Sequence, residues 1–273
     1  MWLPVITYPV IDPVLIDIGP VPIRWYALAY IAGLILGWAY AGWLVQQDRL
    51  WGGLHRPSKA SLDDLIVYVA LGVVFGGRLG YVLFYNPGFY LVHPEEIYAV
   101  WKGGMSFHGG MAGAALGVWV FARRAGVPVL SVGDICSTVA PIGLLLGRIA
   151  NFIKPELWGR PTDVAWAMVF PDAGPVPRHP SQLYEAGLEG LALLVILALA
   201  VRAGGLKRPG YVTGLFGVGY GVARIICEFF REPDPQLGFL FGGATMGMLL
   251  SLPVIAASVA FLMLSRRKPE VTA

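Results

Sequence analysis

The stretch APIGLLLGRIANFIKPELWGRPTD (residues 140–163) sets Arg148 deep inside an apolar run, with Asn151 one turn further on and Glu156, Gly159 and Arg160 following as polarity returns. A charge at the centre of a bilayer costs roughly 2.5–3.5 kcal/mol on insertion scales, so an arginine kept there is a functional hypothesis by default. The stretch GLFGVGYGVARIICEFFREPD (residues 214–234) repeats the arrangement around Arg224. Two such residues point to an anionic ligand held at membrane depth, because a guanidinium is a planar fork matched to phosphate or carboxylate oxygens. The plainer alternative is an arginine paired with a carboxylate that only holds helices together.

Composition agrees with a polytopic membrane protein. Over 273 residues the chain is 56% hydrophobic and only 14% charged, with a mean hydropathy of +0.65, whereas soluble domains carry about 25% charged residues. A net charge of +3, spread by loop and not gathered in a patch, argues against a nucleic-acid partner. Cys136 and Cys227 sit inside apolar runs and read as small buried hydrophobes. The opening MWLPVITYPVIDPVLIDIGPVPIR has no basic region ahead of its apolar part and reads as an ordered surface segment, not a cleaved signal peptide.

A helical span needs about 20 apolar residues, and stretches near 24–45, 64–85, 108–122, 133–153, 183–201, 211–230 and 243–264 meet or approach that length. Basic residues orient them, since cytoplasmic loops are enriched in Lys and Arg. Arg49, Arg56, Lys59, Arg123, Arg124, Arg202, Lys207 and Arg208 fall in the loops after the first, third and fifth stretches, and Arg266, Arg267 and Lys268 in the tail. Asp12, Asp17, Glu95, Glu96, Asp163, Asp172, Glu232 and Asp234 collect on the opposite side. The expectation is an all-α membrane protein with seven transmembrane helices, amino terminus outside and carboxy terminus inside. The whole of 1–273 is read as one membrane domain, with the outer segments 86–107 and 154–182 forming a small cap or arms.

Polar groups gather at the outer ends of these helices. Arg148 and Asn151, three apart, share a face. At ~100° per residue, Tyr220, Arg224, Cys227, Glu228 and Arg231 form one stripe, in which Arg224 and Glu228 are an i,i+4 pair. GGRLGYVLFYN (residues 76–86) flanks Arg78 with glycines that suit close approach of a helix or a ligand. FHGGMAGAALG (residues 107–117) opens with His108, a candidate base by its pKa, although a histidine at a helix start is often structural. RHPSQLYEA (residues 178–186) contributes Arg178, His179, Gln182, Tyr184 and Glu185, with capping by Ser181 as the plain alternative.

In the order RWYALAY, GGRLGYVLFYN, MSFHGGMAG, GRIANFIKPELWGRPTD, RHPSQLYEA and RIICEFFREPDPQLG, these motifs run through most of the chain, which thereby resembles the prolipoprotein diacylglyceryl transferases. The resemblance places Arg148, Asn151, Glu156 and Gly159 in the family's hallmark segment and His108 in its HGG motif. It marks Tyr26, Tyr220, Arg224 and Glu228 as positions important for activity. It implies transfer of a diacylglyceryl group from phosphatidylglycerol to the lipobox cysteine of a preprolipoprotein signal peptide, with release of glycerol phosphate. No metal or organic cofactor is implied. On this view His108, Arg148, Arg224 and Glu228 are the catalytic set. Tyr26, Arg78, Asn151, Glu156, Gly159, Tyr220, Glu185 and Arg231 would bind substrate. The chain departs from the family at Lys154, where asparagine is usual. The expected setting is a monomer in the bacterial inner membrane with its site toward the outer face.

Two rival classes are less well supported. A transporter would show an inverted repeat and polar groups along a whole path, and an intramembrane protease a Ser/His pair or an aspartate dyad within the spans. The sequence displays neither pattern.

Overall fold

The computed structural model describes residues 6–233 and 238–265, without the side chains of Val21, Phe107, His108 and Phe241. Asp234 and the tail residues Arg266, Arg267 and Lys268 lie outside the described residues. Among the described residues, 5 helices are long and apolar enough to cross a membrane: α1 (Trp25–Val45), α3 (Ser61–Phe84), α6 (Val129–Ile153), the segment Ser181–Arg202 and α10 (Met246–Leu264). Ser181–Arg202 is built from α7 (Ser181–Glu185), a π-helical stretch (Ala186–Ala192) and α8 (Leu193–Arg202). Two more helices, α5 (Phe107–Ala125) and α9 (Tyr211–Glu228), occupy the third and sixth stretches anticipated from sequence. Their glycines and arginines dilute the hydropathy that marks the other five. Shorter helices α2 (Asp48–Trp51) and α4 (Pro87–Val92) lie in connections.

Small strand pairs supplement the helices: β1 (Ile6–Thr7) runs parallel to β4 (Met168–Val169), and β2 (Val14–Ile18) pairs antiparallel with β3 (Val21–Arg24). The outward helix faces are apolar. Leu34, Ile35 and Leu36, consecutive on α1, are all more than half exposed, a distribution that suits lipid as the surrounding solvent. Pro141 and Pro253 sit inside α6 and α10, as membrane helices tolerate.

The chain divides into two compact units, Gly42–Gly133 and the combination of Met1–Ala41 with Asp134–Ala273. In the first, α3 and α5 meet along a seam of glycines. A Cβ at Gly80 would lie 2.9 Å from the Gly109 Cα, and one at Gly117 2.8 Å from the Tyr68 carbonyl carbon. Ser106 caps α5 by accepting from the Gly109 N–H (3.2 Å), and Gly126 ends the helix in the left-handed region at φ 65°. Arg78 reaches from α3 to the backbone of residues 96–104. Its Nε donates to the Ile97 carbonyl (2.7 Å), Nη1 to those of Gly103 (2.5 Å) and Gly104 (3.1 Å), and Nη2 to that of Glu96 (2.6 Å).

In the second unit, α1 crosses α6 with Gly33 against Gly143, where a Cβ would stand 3.3 Å from the Gly143 Cα. Gly214 and Gly221 of α9 face Leu262, Ser258 and Ile255 of α10 in the same manner. Asp134, fully buried near the start of α6, closes the amino-terminal end of α9. Its carboxylate accepts from the Gly210 N–H (2.8 Å), the Thr213 N–H (2.7 Å) and the Thr213 hydroxyl (2.8 Å). Asp134→Ala orphans those donors in an apolar setting, each at a cost of about 1–3 kcal/mol. The expected result is a clearly lowered thermal midpoint in detergent; an unchanged midpoint refutes the clamp.

Candidate active site

The site is assembled in the second unit from α6, the α7–π–α8 segment and α9. Arg148, on the face of α6 that carries Asn151 a turn later, donates from Nε to Glu185 Oε2 at 2.7 Å and from Nη2 to Glu189 Oε2 at 3.3 Å. Arg224 of α9 places Nη1 3.3 Å from Glu185 Oε2 and 3.6 Å from Glu189 Oε1, and Nη2 2.5 Å from Glu228 Oε1. Arg231, just past α9, sits 3.4 Å from Glu228 Oε1 through Nη1 and 3.9 Å from Glu185 Oε1 through Nε. Tyr220 is within electrostatic range of Glu189, Arg224, Arg148 and Glu185.

Counted at formal charge, the cations Arg148, Arg224 and Arg231 balance the anions Glu185, Glu189 and Glu228. The carboxylates are almost wholly buried, while the guanidiniums keep 11–18% exposure. Buried ions are expensive unless paired, so the acids belong to the interior and the arginines turn a rim outward. Such a rim suits an anion with several oxygens in a tetrahedral array.

Glycines make this proximity feasible. Gly190 brings its helix against the Leu145 backbone, where a Cβ would be 2.7 Å from the Leu145 Cα. At Gly247 on α10, a Cβ would press on Glu228, 2.6 Å from its Oε1. Gly159 is equally confined, since a Cβ there would stand 2.5 Å from the Phe230 carbonyl oxygen and 2.6 Å from the His179 Cβ. The same close approach lets the Gly159 N–H donate to the His179 carbonyl (2.9 Å) and the Arg160 N–H to that of Phe230 (2.8 Å).

A second polar line runs from the end of α6 to α1. Asn151 Nδ2 donates to Glu156 Oε1 (2.8 Å), Lys154 Nζ to Glu156 Oε2 (2.7 Å), and the Lys154 ammonium lies over the Tyr26 ring at 5.8 Å. The Tyr26 and Tyr30 hydroxyls are 3.2 Å apart. Gln182 Nε2 donates to the Glu156 carbonyl (2.7 Å), which fastens this turn to α7. Lys154, at the position where the family resemblance leads one to expect asparagine, thus joins Tyr26 to Glu156.

Trp166 Nε1 donates to the Tyr184 hydroxyl of α7 (2.6 Å), which also lies within hydrogen-bonding distance of His179 Nδ1 at 3.1 Å. Partial burial and the nearby Arg160 push the His179 pKa below the ordinary imidazole value, which favours the neutral ring.

Of the residues singled out from sequence, Arg148, Glu185, Tyr220, Arg224, Glu228 and Arg231 come together in one cluster, and Tyr26, Asn151 and Glu156 line the second. Arg78 and His108 belong to the other unit. Arg78 spends its donors on loop carbonyls, and the His108 side chain lies outside the described residues. Sequence reasoning missed Glu189, Gly190 and Gly247. Glu189 had a readable signal, an acid four residues after Glu185 in an apolar run that also must pair with intramembrane arginines. Among the described residues no group of His, Cys, Asp and Glu has the arrangement of a metal site.

A family model described as prolipoprotein diacylglyceryl transferase matches residues 13–264. A relative from Methylocella silvestris is 69% identical over 269 residues, covering 98% of this chain and 99% of its own. One from Beijerinckia indica is 62% identical, covering 97% and 98%, and one from Nitrobacter hamburgensis is 62% identical, covering 94% and 89%. All three are named phosphatidylglycerol-prolipoprotein diacylglyceryl transferase.

Proposed function

The chain belongs to the prolipoprotein diacylglyceryl transferase family, and from that premise we propose how its residues carry out the first step of lipoprotein maturation. It is a multi-pass membrane transferase whose lipid donor is phosphatidylglycerol and whose acceptor is the lipobox cysteine of a preprolipoprotein. It works as a monomer in the bacterial inner membrane, crossing seven times, with the amino terminus and the segments 86–107 and 154–182 on the outer side. Placement of the basic residues supports this orientation.

The reaction exchanges one bond for another. The cysteine thiol gives its proton to a base, and the thiolate sulfur attacks the donor glycerol carbon that carries the phosphate ester. A C–S bond forms as the C–O bond breaks, and glycerol phosphate departs with the bonding pair. Charge therefore grows on the phosphate oxygens, where fixed cations in a water-poor site are most effective. The observation that carries the assignment is the pair Arg148 and Arg224, held by shared carboxylates with guanidinium edges still exposed. Asn151 and Tyr26 orient donor oxygens, and Glu228 fixes Arg224 against Arg231.

The test is a mass-spectrometric assay with purified protein, phosphatidylglycerol and a peptide bearing a lipobox cysteine. A diacylglyceryl mass on the cysteine is the expected product. Absence of an adduct with folded protein overturns the reading and leaves an anion-binding membrane protein without this chemistry. His108 is assigned as base on chemical grounds, as an imidazole titrates near neutrality. Turnover then rises as pH climbs through that titration. His108→Gln should flatten the profile while leaving phosphatidylglycerol binding intact, and a fully active variant with an unchanged profile refutes the assignment.

A further inference from the structure

We propose that Glu189 is a positioning residue for this reaction, its carboxylate bridging Arg148 and Arg224 and setting the separation at which the two guanidiniums meet the donor phosphate. The inference rests on the proposed phosphate-clamp role of those arginines. Glu189 is fully buried and divides its oxygens between them, Oε2 lying 3.3 Å from Arg148 Nη2 and Oε1 3.6 Å from Arg224 Nη1. Glu185 makes the closer contact with Arg148 and also reaches Arg231, so Glu189 is the one acid of the cluster committed to this pair alone.

The backbone around Glu189 is adapted to that task. Residues Ala186–Ala192 leave the α-helical register for a π-helical one between two α-helical segments, a local widening that recurs at functional sites. The next residue, Gly190, packs on the Leu145 backbone, one turn before Arg148 on α6. A helix whose only duty was packing would need neither the irregular register nor a buried carboxylate. Both features bring a negative charge to a fixed point between the arginines and keep it from drifting. Preorganised donors owe their catalytic value to such fixity, because they need no rearrangement as charge develops.

Glu189→Gln keeps the shape and removes the charge, and Glu189→Asp keeps the charge on a shorter stem. Each variant and the wild type are compared for thermal midpoint, kcat and KM with phosphatidylglycerol in mixed micelles and a lipobox peptide. In Glu189→Gln, the expected result is a kcat lower by about 10–100-fold, with KM for phosphatidylglycerol unchanged or lower, since the cluster gains net positive charge. Glu189→Asp should recover part of the loss. A Glu189→Gln enzyme with wild-type kcat overturns the proposal. So does an equal loss in both variants that follows a matching fall in thermal midpoint, which is the signature of packing alone. Wild-type protein that transfers nothing overturns the proposed function itself, and this inference with it.

Discussion

Arg148→Ala is expected to abolish diacylglyceryl transfer, with a loss of at least about 10²–10³-fold in the mass-spectrometric assay. Two effects act together. On the proposed clamp role the donor phosphate loses one of two guanidinium forks, and Glu185 and Glu189 lose the guanidinium that both of them face. Breaking a buried ion pair by removing one partner typically costs about 3–5 kcal/mol, because the other charge stays buried without compensation. Part of the effect will therefore appear as lowered stability, and turnover must be normalised to folded protein. Arg148→Lys separates the terms. It restores a cation but presents a point charge with no planar fork, so stability should recover more than turnover does. Near-normal turnover of the alanine variant at equal folded concentration refutes the clamp at this position.

Gly113→Ala should be among the most damaging single substitutions in the Gly42–Gly133 unit, although it adds only one methyl group. The Cβ would stand 2.6 Å from the carbonyl carbon of Gly72, with the carbonyl oxygen nearer still. These are backbone atoms, so no side chain can rotate away, and α3 and α5 must separate along a seam that also includes Gly76, Gly80, Gly109 and Gly117. Overpacking a core with side chains that can yield costs roughly 1–3 kcal/mol, and a rigid backbone seam should cost more. Lipid offers no hydrophobic incentive for helix pairing, so close van der Waals contact and Cα–H contacts must supply it. Thermal unfolding and yield in detergent, with Gly88→Ala as comparison outside the seam, where a Cβ meets nothing within 4 Å, measure the effect. A variant as stable as wild type would mean that the seam adds little.

How much of this was legible in the chain differs from residue to residue. Arg224, Glu228 and Arg231 were placed on one stripe by spacing alone, and the salt bridges of 2.5 and 3.4 Å occur along it. Arg148 with Asn151 was equally readable as one face. The pairing of Arg148 with Glu185 and Glu189 was not readable, because those partners are 37 and 41 residues away on another helix. Arg78 illustrates the opposite case. Its flanking glycines suited close approach of a helix or a ligand, yet its hydrogen bonds go to the carbonyls of residues 96–104, a backbone destination that no side-chain pattern encodes.

By itself the sequence determined the membrane class, the approximate helix limits and the polar face of each helix, since bilayer thickness fixes apolar length and the α-helical period fixes which residues share a side. Tertiary structure alone decided which faces meet. That choice follows from where backbones can touch, at Gly190 on Leu145 and at Gly247 on Glu228, and from where one helix leaves the α register between Ala186 and Ala192. Periodicity reports the direction of a side chain from its own axis but carries no information about the neighbouring axis. For that reason Glu189, a buried acid by its own sequence context, could be matched to Arg148 and Arg224 only once the helices stood side by side.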